Sequence, residues 1–361
     1  MRVSPQQHPQ QGTPLSAELA VLTQQLDNAK SYIDVFGKDE DKLASNYRRM
    51  ARVLHPDGKN AIDQQLASDA FVKLQSFYDT AKKAVANDTY GELPRVTITS
   101  RKFIHELIGN TWEGDISQVY QSITNGNSSA VGDDSVVKLV RSPRNNDLME
   151  NEASSLRKIY RCNDIAEFQP YFPMLFDSFK HNQSRANVLS YLDGFYTLKQ
   201  VREAYGEKLN PLDAAWMWRR MLVALGAAHE AGVIHGAVLP EHVMIQPEQH
   251  GLVLIDWCYS GEPGDKPKAM SKKYKDLYPP DFKDEELLPG TDVYMAAATM
   301  TYLNGDNMPR PLRAFMRGCM LDRVRTRPQK AFDLLQEYDE LLERMGEPYH
   351  PRRFREFRMP R

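Results

Sequence analysis

Two groups of residues in this chain could do chemistry. The first centres on Lys138, embedded in the β-branched run SVVKLV, with Glu150 and Glu152 downstream in ENEASSLRKI. An ammonium carried into a buried strand is costly unless a carboxylate meets it, so this lysine demands an acidic partner. About two-thirds of the way along the chain, HGAVLPEHVMI, residues 235 to 245, offers His235, Glu241 and His242 but interposes Ala237 and Leu239. Neither of those side chains can accept a proton or orient a hydroxyl. The second group is cationic. Arg48, Arg49 and Arg52 fall on the helical face opposite Leu43, Tyr47 and Met50, so one side packs while the other presents charge. That helix runs into His55, Pro56 and Asp57, in a stretch of turn composition.

Elements must exist to hold both groups. Residues 1–15 are rich in Gln and Pro with almost nothing to bury, and are expected to be disordered. From 16 to 88 the pattern is helical: Leu43, Tyr47, Met50 and Leu54 form one stripe, and Ala67, Phe71, Leu74, Tyr78 and Ala81 another. A polar link, NDTYGELP, with the domain linker bounded at 89–99, leads into the alternating segments VTITSRKFI, SQVYQSI, SVVKLV and ANVLSYL, which read as strands. From Pro211 the periodicity is helical again.

The bulk numbers narrow the function classes. A chain of 361 residues can bury a large core and hold two or three domains. Its 46 basic and 48 acidic residues leave a net charge of -2, which gives no overall field for a nucleic acid or a membrane surface. Three scattered cysteines fit a reducing compartment and form neither a disulfide framework nor a zinc signature, so the expected location is cytoplasmic. No signal peptide or membrane span is read. The basic and aromatic tail, 346–361, interleaves Arg352, Arg353, Arg355 and Arg358 with Phe354 and Phe357; packing onto the larger domain is expected over nucleic-acid binding.

From about 100 to 345 the order of landmarks resembles a protein kinase. Val136 to Leu139 resemble the strand whose lysine holds the α and β phosphates of ATP, Glu152 stands where the N-lobe helix supplies that lysine's carboxylate, and Asp256 stands where the metal-binding aspartate is found. The glycine loop retains only Gly114 of three glycines, with Trp112 and Ser117 at the other two positions; Gly109 sits too early to substitute without a bulge. Tyr191 and Leu192 resemble the interlobe hinge that offers backbone groups to adenine. Asp281, Asp292 and Arg327 resemble late landmarks of the C-lobe, with an ion pair expected between Asp281 and Arg327.

The resemblance fails in the catalytic loop. Ala237 replaces the proton-accepting aspartate, Leu239 the following lysine and His242 the metal-binding asparagine. General-base assistance contributes roughly 3 to 5 kcal/mol, so its loss alone leaves a marginal phosphotransferase. The implied cofactors are ATP with Mg or Mn, the metal falling to Asp256 and His242. The expectation is a pseudokinase; an atypical serine/threonine kinase and a nucleotidyl transferase on the same fold are the rivals.

Residues 28 to 88, with the HPD tripeptide between two helices, resemble the J domain of DnaJ-type co-chaperones. That resemblance implies docking of a DnaK-type chaperone on Arg48, Arg49, Arg52, His55, Pro56 and Asp57. The expected fold is thus α+β: a small helical domain, then a bilobal unit with a β-rich N-lobe (100–192) and a helical C-lobe (193–345). The expected role is a chaperone-linked adaptor acting on an unidentified client protein.

Overall fold

The computed structural model describes residues 17–29, 31–55, 61–91, 96–126, 133–206, 209–351 and 353–360. The 1–15 tail, Pro56 and Asp57 lie outside the described residues. The chain divides into two compact units, Met1–Arg95 and Val96–Arg361.

The first unit is helical: α1 (Ala17–Asn28), α2 (Tyr32–Phe36), α3 (Leu43–Leu54) and α4 (Ala61–Ala86). Leu43, Met50 and Leu54 of α3 and Ala67, Leu74 and Ala81 of α4 are buried together with Leu19, Leu22 and Leu26 of α1. Tyr47 stacks on Tyr78 with ring centroids 3.9 Å apart. The stripes read from the sequence are therefore the packed faces. Residues 89–91 belong to this unit through side-chain bonds: Tyr32 donates its hydroxyl to the Thr89 carbonyl at 3.3 Å and accepts the Gly91 N–H at 3.2 Å.

The second unit opens with β1 (Val96–Thr99), which pairs antiparallel with β2 (Phe103–Glu113), Val96 opposite Leu107. This corrects the reading of 89–99 as one linker: its last four residues close the edge of a sheet, because Ile98 alternates inward onto Val137, Ala186 and Val188. The sheet continues through β3 (Ser117–Gly126), β4 (Asp133–Val140), β6 (Ser184–Ser190) and β5 (Leu175–His181), in the order β1-β2-β3-β4-β6-β5. Between Leu107 and Thr111 the β2–β3 register slips, so the bulge required near Gly109 is present. Helix α5 (Asn146–Arg161) packs against this sheet and buries Met149, Glu152, Ala153, Leu156 and Ile159.

Beyond the hinge come β7 (Tyr196–Thr197), α6 (Leu198–Tyr205), α7 (Pro211–Glu230) and the hairpin β8 (Val243–Gln246)–β9 (Gly251–Leu254). Three more helices follow: α8 (Pro289–Asn304), α9 (Arg310–Cys319) and α10 (Ala331–Met345). Helix α7 buries Trp218, Met221, Leu222 and Leu225 and forms the spine of the lobe, with Asn210 capping its N-terminus by accepting the Leu212 N–H. The tail returns onto this lobe: Phe357 is buried against Tyr205, and His250 is sandwiched between Trp216 at 4.1 Å and Phe354 at 4.4 Å. Among the described residues no helix is long and apolar enough to cross a membrane.

Candidate functional site

Strand β4 places Lys138 opposite Asn187 of β6, with its side chain turned toward α5. The ammonium donates to Glu152 Oε1 at 2.8 Å, to Asp256 Oδ1 at 2.9 Å and to Cys258 Sγ at 3.2 Å. Glu152 is also fixed by Asn187, whose amide donates to its other oxygen at 2.8 Å. Glu152 is thus the partner that Lys138 requires; Glu150 is exposed and pairs with Arg185 instead. Burial works against the charges here, but Asp256, Cys258 and Glu152 hold the Lys138 ammonium well above its ordinary range. Burial likewise opposes the Asp256 carboxylate, and Lys138 outweighs it, keeping Asp256 far below the usual carboxylate range. Cys258 is pushed well up by burial and stays a thiol. Two carboxylates therefore face one ammonium, a net charge of -1 in a buried cluster. Glu152, Asp256 and Cys258 present ligand atoms within 4.8 Å of one another, and the Lys138 ammonium already lies among them.

Asp256 follows β9 with φ 62° and ψ 60°, the left-handed region, where a residue bearing a Cβ costs about 1–2 kcal/mol. Its surroundings fix that turn. Asn151 of α5 donates to the Cys258 and Ser260 carbonyls at 3.1 and 2.5 Å, and Ser260 bonds Ser155 at 2.8 Å. Helix α5 is thereby stitched to the segment after Asp256, which keeps Glu152 turned inward.

The loop from His235 to His242 is held as rigidly. Asp292 of α8 accepts the backbone N–H groups of His235 and Gly236, both at 2.8 Å, and a third bond from His229 at 2.9 Å. His235 donates from Nε2 to the Ile255 carbonyl at 3.0 Å and accepts the Ala237 N–H on Nδ1 at 3.2 Å. It is a neutral brace, its pKa lowered by burial to about 4. Ala237 and Leu239 are fully buried, so the loop presents no acidic group at either position. Glu241, the loop's own carboxylate, is taken by Lys199 at 3.1 Å and by Lys273. Partial burial opposes those lysines, which nonetheless keep its pKa below the ordinary value and make it a poor proton acceptor.

His242 lies beside Asp256, with Nε2 3.5 Å from Oδ2. Its Nδ1 sits 2.8 Å from the Ala237 carbonyl, which can only accept, so Nδ1 carries a proton. Magnesium prefers oxygen ligands in near-octahedral geometry at 2.0–2.1 Å, which sets neighbouring ligands about 3.0 Å apart. A nitrogen and an oxygen at 3.5 Å, with the other carboxylate oxygen bound to Lys138, do not fit it.

The remaining predicted residues stand around the cleft. Gly114 turns the β2–β3 hairpin and spends its N–H on the Ser117 carbonyl at 2.9 Å, while its own carbonyl accepts from Arg141. Its neighbour Asp115 accepts the Tyr259 hydroxyl at 3.3 Å, which pins the hairpin tip to the segment after Asp256. Trp112 stacks on Tyr191 at 6.2 Å. The Tyr191 N–H donates to the Asp134 carbonyl at 3.2 Å, so of the two hinge residues Leu192 is the one whose N–H no described residue takes. Asp281 and Arg327 pair at 2.6 Å as expected. Sequence reasoning missed Asn151, Asn187, Asp115 and Tyr259, because their roles are contacts between distant segments.

In the helical unit, Arg48, Arg49, Arg52 and His55 are exposed along and just beyond α3. Arg48 donates to the Ala44 carbonyl of its own helix at 3.1 Å.

No protein-family model matches this chain. Among solved structures it is similar to one described as the structure of vaccinia related kinase 3, at a TM-score of 0.53 and 14% identity, covering 72% of this chain and 94% of that one. The likeness shows a kinase-like fold.

Proposed function

We propose that this chain is a two-module adaptor: a DnaJ-type helical module that recruits a DnaK-type chaperone, joined to a pseudokinase that binds ATP without efficient phosphoryl transfer. The observation that carries the second half is the pairing of an intact Lys138–Glu152–Asp256 cluster with a fully buried Ala237. The cluster supplies a cation for phosphates and Leu192 a hinge donor for a base. Position 237, where a phosphotransferase needs a carboxylate, holds a methyl group. Because the Asp256 and His242 pair does not suit magnesium, nucleotide binding in this reading rests on Lys138 rather than on that metal.

Support for the first half comes from α3, whose buried face and row of exposed arginines ending at His55 suit docking on an acidic surface. The client is a protein engaged by the kinase-like unit.

Two measurements test the reading. Thermal-shift titration with ATP, in the presence and absence of magnesium or manganese, is expected to stabilise the chain; no shift with any nucleotide removes the ligand-binding half. His55→Gln is expected to abolish stimulation of a matched DnaK-type ATPase, and unchanged hydrolysis removes the chaperone half.

A further inference from the structure

Helix α5 carries a second arrangement of charge on its outer face, away from the Lys138 cluster. Ser154, Arg157, Lys158 and Arg161 recur at spacings of three and four, so they share one side of the helix over its last two turns. Glu152, Leu156 and Ile159 take the buried side. Together with Cys162 and Ala231, the four residues line an open cavity of about 710 Å³ where the C-terminal ends of α5 and α7 meet.

None of the lining residues is a carboxylate. Lys158 is engaged, donating to the Gly232 carbonyl at 3.0 Å and to Glu262 at 2.6 Å. Arg157 and Arg161 are exposed, and among the described residues no carboxylate or carbonyl takes either guanidinium. Four residues apart on one helix, the two like charges repel. Against three cations stand Glu262 and two helix C-termini of about half a negative charge each, which leaves roughly one positive charge facing the cavity.

The residue types say which anion suits it. A guanidinium presents a planar fork that meets two oxygens at once, so a single arginine occupies both oxygens of a carboxylate. A phosphate monoester has three acceptor oxygens and a charge of about -1.5 to -2, enough for two arginines and a hydroxyl donor. Ser154, one turn before Arg157, supplies that hydroxyl.

We infer that Arg157 and Arg161, with Ser154 and Lys158 beside them, form a binding site for a phosphate monoester on the outer face of α5. The cavity is larger than a phosphate group, and Cys162 and Ala231 give it a less polar wall, so it also admits the carbon skeleton that carries the phosphate. That carrier is a phosphorylated serine or threonine of a partner, or a small phosphorylated metabolite. The site is separate from the nucleotide cleft and does not rest on it.

The test uses the full chain and the fluorescence anisotropy of a dye-labelled, glycine-flanked phosphoserine peptide, with its unphosphorylated twin as control. The phosphorylated peptide is expected to bind, more weakly as salt rises, and the twin is not. Arg157→Gln and Arg161→Gln are each expected to weaken binding roughly tenfold. Arg161→Lys is expected to weaken it less, since the charge stays and only the fork is lost. Both arginines are exposed, so the variants are expected to melt with the parent and to keep its ATP-induced thermal shift, which reports the nucleotide reading separately. Inorganic phosphate and an inositol phosphate, added as competitors against unlabelled phosphopeptide, identify the source: the strongest competitor names the carrier, and each ranking upholds the phosphate site. Equal binding of the unphosphorylated twin, equal binding by the double variant Arg157→Gln/Arg161→Gln, or no binding of any phosphate probe overturns the inference.

Discussion

Gly236 gives its backbone N–H to Asp292 at 2.8 Å, with φ at +71° and its Cα turned so that an added Cβ would stand 2.7 Å from the Tyr259 carbonyl oxygen. The loop can follow this path only with glycine there. Gly236→Ala is expected to destabilise the kinase-like unit by at least about 1–3 kcal/mol, the range for a residue forced into the left-handed region, with the clash in addition. Urea unfolding of the two chains measures it; an unchanged midpoint contradicts the strain.

His235 gives the loop a pH dependence whose sign follows from burial. Its folded pKa, about 4, lies below the unfolded value near 6.5, so the unfolded state binds more protons between those limits. Its contribution is complete above pH 6.5 and is lost as pH falls toward 4, an effect of roughly 3 kcal/mol if no other group intervenes. Replacing it by Asn is expected to flatten the slope of unfolding free energy across that window. An identical slope shows that the proton uptake lies elsewhere.

Removing the Lys138 ammonium leaves Glu152 and Asp256 facing each other in a buried site. Breaking such a cluster costs about 3–5 kcal/mol, so Lys138→Met should unfold at markedly lower urea than the parent. Adding Glu152→Gln to it should recover part of the loss, because one buried charge is withdrawn. A double variant no better than the single one places the cost in packing rather than charge.

The tail is part of the fold. Phe357, 3% exposed and stacked on Tyr205 at 5.5 Å, should cost about 3–5 kcal/mol when cut to Ala. Limited proteolysis then releases the tail sooner; equal rates contradict its docking.

Local patterns made much of this readable. The β-branched run marks Lys138 as buried, and a buried lysine demands a carboxylate, which narrows the partner to Glu150 or Glu152; the kinase resemblance chose Glu152. The helical stripes of α3 and α4 follow from periodicity in the same way. Contacts that depend on two distant segments meeting were not readable: Tyr259 with Asp115, Asn151 with the turn after Asp256, and Glu241 with Lys199 and Lys273. None has a sequence period or motif, and each is fixed only once the lobes have packed. The edge strand β1 is legible in the alternation of VTITSRKFI; only the domain boundary, drawn at 100, left its four residues in the linker.

The central claim is that the cleft holds a nucleotide it does not convert. Incubation with γ-labelled ATP, at a concentration where the thermal shift has reached its plateau, tests it most directly, with mass spectrometry of the chain and of a basic protein substrate. The account predicts saturation with no gain of phosphate on either protein. A labelled product that disappears in Asp256→Ala, or a gain of AMP in place of phosphate, contradicts it.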